Sequence, residues 1–241
     1  YYGGFLSSVA WLSMSDLLGN HSLSLATDYV ASQDIDNDFN FALNYVYYGQ
    51  RPTYNLSVFN WNQFFNDGSR RYIDPVGRIV SGVTRVTQRG MLADMSYPLD
   101  LYRRVDLSYT YVSEDRAQVW PENTPIDISS THLLKTAYVH DSINYGLLGP
   151  TSGKSYYVSL GRTLDLSSSN RSFSHMELDY RNYIRLGRWS VLGWRMSGVG
   201  SLGSDPLTYN LGGPAWFVPF YAGFNLNSGP LRGYNYAEFD G

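Results

Sequence analysis

Apolar and polar residues alternate singly along most of this chain. In HSLSLATDYVAS, Leu23, Leu25 and Tyr29 share one face, while Ser22, Ser24 and Asp28 share the other. FNFALNYVYYG sets Phe39, Phe41, Leu43, Tyr45 and Tyr47 against Asn40, Ala42 and Asn44. VDLSYTYVSED opposes Val105, Leu107, Tyr109 and Tyr111 to Asp106, Ser108 and Thr110, and HMELDYRNYIRLG opposes Met176, Leu178 and Tyr180 to Glu177, Asp179 and Arg181. A period of two is strand spacing. It predicts about ten strands, near 3–15, 20–33, 37–49, 52–65, 76–96, 102–116, 130–142, 153–166, 172–187 and 189–201, and no amphipathic helix.

Several of these strands exceed the five or six residues usual in globular sheets. A tilted strand crossing a bilayer needs about 9–11 residues in the apolar band alone, whereas a spanning helix needs about 18 consecutive apolar residues, which no window holds. The connections alternate in character. SDLLGNH, YGQRP, YPLDLYRR, YGLLGPTSG and LGR are compact, with Gly or Pro as turn formers. SQDIDND (32–38), NDGSRRYIDP (66–75), SEDRAQVWPENTPIDIS (113–129) and SSSNRS (167–172) are longer and polar. Short turns at one end and polar loops at the other are the asymmetry of an outer-membrane barrel.

A soluble β-sandwich or a lipocalin-like barrel would also alternate. Composition separates the cases. Charged residues are 16% of the 241, below the roughly 25% of soluble domains, and there are 22 Tyr. The polar faces carry full charges and Asn in consecutive strands, which suits a wet lumen. The apolar faces carry more Tyr than a dry core accommodates, because each phenol needs a partner. The fold class expected is all-β, an antiparallel transmembrane β-barrel.

A net charge of −3 gives no electrostatic reason to expect nucleic acid. Lys135 and Lys154 are the only lysines; the remaining basic residues are Arg, suited to pairing with carboxylates inside a wall. With no Cys there is neither a disulfide framework nor thiolate chemistry. The four histidines, His21, His132, His140 and His175, have no metal-ligand spacing, and no nucleophile elbow occurs. GVGSLG at 198–203 follows a strand but opens no helix, so it makes no phosphate loop. No enzyme chemistry, cofactor or metal is expected. One charged row stands out on a single strand face: Glu177, Asp179, Arg181 and Arg185. Arg162 and Arg195 on the flanking strands are its candidate partners, depending on register.

The turns carry a family likeness. MSDLLGNHSLSL, MSYPLDLYRRVDLSY and GLLGPTSGKSYYVSL resemble the first, third and fourth periplasmic turns of Omp85 barrels (bacterial surface antigen domains). The closing GPLRGY is similar to the Arg-Gly-Phe/Tyr tip of their sixth outer loop, and strand parity puts it there. The resemblance covers essentially the whole chain. It implies a barrel of about sixteen strands, with one strand before this segment and about five after it. It also implies a division of residues 1–241 into strands to about 203 and a long extracellular loop, 204–241. The family's Leu-Gly-Gly occurs early, at Leu211-Gly212-Gly213, with PAWFVPFYAGFNLNS intervening before the tip, so either the loop carries an insertion or GFNLNSGP replaces that motif.

The resemblance further implies that the loop folds back into the lumen. Its tip, Leu231, Arg232, Gly233 and Tyr234, would dock Arg232 on an acidic or aromatic motif of a later strand. Expected partners are outer-membrane lipids and, by the resemblance, unfolded outer-membrane or secreted client polypeptides with periplasmic accessory proteins. The expected role is insertion of β-barrel proteins or translocation of polypeptide at the bacterial outer membrane. A passive channel, or a membrane anchor for a periplasmic or secreted domain, is the alternative.

Overall fold

The computed structural model describes residues 6–31, 38–73, 77, 79–120, 124–147, 149–166, 171–207, 209–211, 228–229 and 239–240. Ten long strands lie close to the predicted positions: β1 (Leu6–Ser15), β2 (His21–Ala31), β3 (Asp38–Tyr47), β4 (Thr53–Ile73), β5 (Ile79–Pro98), β6 (Arg103–Trp120), β7 (Thr124–Asp141), β9 (Gly149–Thr163), β10 (Phe173–Arg185) and β11 (Val191–Gly203). A short β8 (Asn144–Gly146) pairs with the start of β9. Together they make an eleven-stranded sheet in which strand order follows chain order. Among the described residues, β1 pairs with β2 alone and β11 with β10 alone. The chain forms two compact units, Tyr1–Thr136 with Thr163–Arg171, and Ala137–Arg162 with Ser172–Gly241.

In the first unit, register keeps the two faces distinct. Leu25 pairs with Leu43 and Leu43 with Val58, while Tyr45 pairs with Leu23 and Leu56. Across β5 and β6 the same face carries Met91 opposite Tyr111, Ala93 opposite Tyr109 and Met95 opposite Leu107. Phe39 and Tyr45 are exposed on this apolar face, whereas Asn40 on the other face is buried and accepts a hydrogen bond from the Asn62 backbone N–H at 2.7 Å. On β3 the apolar series from Phe39 to Tyr47 covers about nine residues, within the requirement of a tilted spanning strand.

Two expected loops are largely strand. β4 and β5 pair as far as Ile73 opposite Ile79, with a register shift between Asp67 and Arg71, and β6 continues to Trp120. The reason lies in what alternation reports. A strand reads as alternating only where one face is apolar. The extensions, residues 66–73 of β4 and 117–120 of β6, carry no sustained alternation of apolar and polar residues, yet the backbone ladder continues through them. Within the expected strands, Gln88 donates to Glu114 at 2.9 Å, and Arg89 donates to Asn60 at 3.0 Å. Arg171, expected as an ordinary loop residue, also reaches Glu114, at 3.6 Å.

In the second unit, aromatic rings form a row across four strands on the apolar face. Tyr138 and His140 of β7 stack on Tyr156 of β9 at 5.9 and 4.7 Å, Tyr156 on Tyr180 of β10 at 6.5 Å, and Tyr180 meets Trp194 of β11 at 4.8 Å. Such rings present an apolar body and a polar edge, as membrane-interface belts do. Residues 210–211, 228–229 and 239–240 form a separate small sheet: β12 (Asn210–Leu211) pairs in parallel with β13 (Ser228–Gly229) and antiparallel with β14 (Phe239–Asp240).

Candidate functional site

The polar face of β10 and β11 carries most of the charged row. Alternation puts His175, Glu177, Asp179 and Arg181 on one side of β10, and the register brings Arg195 and Ser201 of β11 to the same side. Arg181 and Arg195 are direct register partners. Asp179 joins them. Its Oδ1 accepts from Arg181 Nε at 2.9 Å and its Oδ2 from Arg181 Nη2 at 3.2 Å, while Arg195 donates to Oδ2 through Nε at 2.9 Å and also through Nη2. The carboxylate is 16% exposed, against 43% and 49% for the two guanidinia. Two charge-assisted forks converge on one acid, and the group keeps one net positive charge with guanidinium edges open to solvent.

The other members of the row do not join this triad. Glu177 lies 4.0 Å from His175 Nε2. Arg185 donates to the Gly187 carbonyl at 3.3 Å, in the turn that ends β10. Arg162 pairs with Ser174, whose parity is that of Met176, so register turns it to the opposite face and excludes it as a partner.

Three residues passed over in the sequence belong here. His175 is 3% exposed and shares a 2.9 Å hydrogen bond through Nδ1 with the Tyr209 hydroxyl, the rings standing 6.2 Å apart. Its Nε2 and the Ser159 hydroxyl on β9 are buried without a hydrogen-bond partner. Burial pushes the Tyr209 phenol above its ordinary pKa, so it stays protonated. The only signal in the sequence was parity: His175 stands two residues before Glu177.

Tyr209 reaches this face because the chain doubles back after β11. Asp205 N donates to Ser172 O at 3.1 Å, Ser172 N donates to Asp205 Oδ2 at 3.2 Å, and Leu207 N donates to Ser201 Oγ at 3.1 Å. The chain that follows β11 therefore lies on the polar face at Tyr209. Leu231, Arg232, Gly233 and Tyr234, and the Gly212–Gly213 pair, lie outside the described residues.

A comparison with protein families matches residues 17–240 to the Omp85 superfamily domain. The chain belongs to the Omp85 superfamily. Among solved structures, this Omp85 chain is similar to the crystal structure of BamA from Haemophilus ducreyi lacking POTRA domains 1–3. The TM-score is 0.52 at 16% identity, over 88% of this chain and 44% of that one. The Omp85 chain thus spans less than half the length of that structure, and at this identity the likeness is one of fold. No curated protein matches its sequence. The antiparallel sheet, free of helices among the described residues, is that of an Omp85 barrel wall.

Proposed function

We propose that this Omp85 segment is part of a bacterial outer-membrane barrel that assists insertion of β-barrel proteins or carries polypeptide across the membrane. In this reading the apolar face meets lipid and the polar face, with the Asp179–Arg181–Arg195 triad, lines the interior. The long loop works inside that interior, with Leu231, Arg232, Gly233 and Tyr234 at its tip and Arg232 docked on a carboxylate or aromatic face. The observation that carries the reading is the root of the loop, which lies on the polar face at Tyr209 and His175. A surface loop leaving the barrel would have no reason to set a half-buried phenol against that face. Gly233 suits a tight turn at the tip, and a guanidinium docks on a carboxylate in bidentate fashion. Client strands are extended and unpaired, so pairing with exposed backbone edges is the natural mode of engagement.

The test uses the full-length protein in lipid vesicles with an unfolded outer-membrane barrel as client. Faster client folding than in protein-free vesicles is expected. Vesicles that leak small solutes but leave client folding unchanged would instead identify a passive channel, and neither effect would leave a membrane anchor.

A further inference from the structure

We propose that His175 and Tyr209 form a clasp that positions the long loop on the barrel wall, holding its root at the polar face of β10 and β11. The proposal rests on the reading that the loop works inside the barrel, and it names the wall residue that directs the loop there.

The path is built in three steps. At the end of β11, Gly203 adopts φ 153°, and a Cβ there would collide with the Ser172 carbonyl oxygen and stand 2.6 Å from Phe173 Cα. Only glycine lets the chain press this closely against the neighbouring strand. Asp205 and Ser172 then exchange hydrogen bonds at the rim, which reverses the chain. Finally Leu207 N reaches Ser201, and Tyr209 reaches His175, the register partner of Ser201. The loop has moved back along the strands, toward Glu177 and the triad.

The rim contacts and the clasp differ in strength. Asp205 is exposed, so water competes for its bonds. His175 is buried, and a hydrogen bond lost there leaves polar groups without water to replace it. The charged group facing the imidazole on its own strand is Glu177, at 4.0 Å from Nε2. The register partners of His175 are Gly161 on β9 and Ser201 on β11, neither charged. Tyr209 is therefore the neighbour that ties His175 to the loop.

Residues 1–241 hold no cysteine, so Pro206→Cys, with any cysteine elsewhere in the full-length protein replaced by Ser, gives a single attachment point for a nitroxide on the exposed start of the loop. In the full-length protein in nanodiscs, the label is expected to be restricted. Tyr209→Phe, which removes only the hydroxyl, should raise the mobile fraction about fivefold. His175→Ala should do the same, and the double variant should add nothing. His175→Asn places an amide nitrogen near the position of Nδ1 and should keep the label restricted. Unchanged mobility in Tyr209→Phe and His175→Ala, additive effects in the double variant, or a His175→Asn label as mobile as that of His175→Ala would each overturn the clasp. Client folding is measured on the same samples. A clasp that behaves as described in a protein that does not fold clients refutes the functional reading and leaves the clasp standing.

Discussion

Arg181 and Arg195 stand directly opposite each other across β10 and β11. Like charges in that position destabilise a sheet. Asp179, one step along the same face, takes a fork from each and turns a repulsive pair into a bridged one. Asp179→Asn should therefore cost about 1 kcal/mol, combining a lost, half-exposed ion pair with renewed repulsion. Adding Arg195→Gln should recover most of it. Urea unfolding of the full-length protein in lipid, at low salt and at about 1 M salt, is the measurement, and screening should shrink the Asp179→Asn effect. Equal losses in the single and double variants would show that the carboxylate does not act by bridging.

Leu43 lies in the middle of the apolar face, between Leu25 and Val58. If that face meets lipid, Leu43→Arg should cost about 2–4 kcal/mol at mid-membrane, measured by unfolding in lipid vesicles. A cysteine at position 43 should react with lipid-phase reagents and resist water-soluble ones. The opposite labelling pattern would reverse the assignment of the faces.

Gly90 on β5 has no room for a side chain. A Cβ there would meet the Tyr111 carbonyl oxygen and lie 2.8 Å from the ring of Phe59, itself buried over the glycine. Gly90→Ala should destabilise by about 1–3 kcal/mol through overpacking. Trimming the ring with Phe59→Leu should not rescue it, because the backbone obstacle remains. The unfolding midpoints of the single and double variants decide this.

Asp100 organises the β5–β6 turn. It accepts from the backbone N–H groups of Tyr102 and Arg103 at 2.8 and 2.9 Å and from the Arg103 guanidinium, which holds its carboxyl below the usual carboxylate range. A depressed folded value contributes stability that is present above the unfolded pKa of about 3.9. That contribution is lost as pH falls through the lower folded value. An NMR titration of Asp100 should give a midpoint below the ordinary one, and Arg103→Gln should move it back up. A midpoint unmoved by that substitution would exclude the guanidinium as the cause.

If Arg232 docks inside the barrel on a buried carboxylate, Arg232→Ala should cost about 3–5 kcal/mol, because the partner charge stays behind unpaired. Lys at that position should restore only part of it, lacking the planar fork. Arg188→Ala, in the exposed β10–β11 turn, is the control and should be nearly silent. Arg171 would be a poor control, since it reaches Glu114. Equal stability and client folding in the parent and Arg232→Ala proteins would remove the loop tip from the mechanism.

The sequence by itself determined the ten long strands and their two faces, but not the short β8 or the small sheet of β12, β13 and β14. Period-two alternation reports directly on a sheet whose one side is apolar, and the turn residues placed the hairpins to within a few positions. The family was legible in SDLLG, YPLDLYRR and GPLRGY, because turn and tip motifs are local. The sequence did not reveal the strand extensions at 66–73 and 117–120, where no sustained alternation marks the ladder. Register decided the site. It set Arg195 against Arg181 and within reach of Asp179, turned Arg162 to the other face, and left Glu177 beside His175. A single strand read alone gives the face of a residue but not its neighbour one strand away. Tyr209 lay furthest from sequence reasoning, since its partner His175 is 34 residues earlier. Only the doubling back of the chain at Gly203 and Asp205 brings the two together.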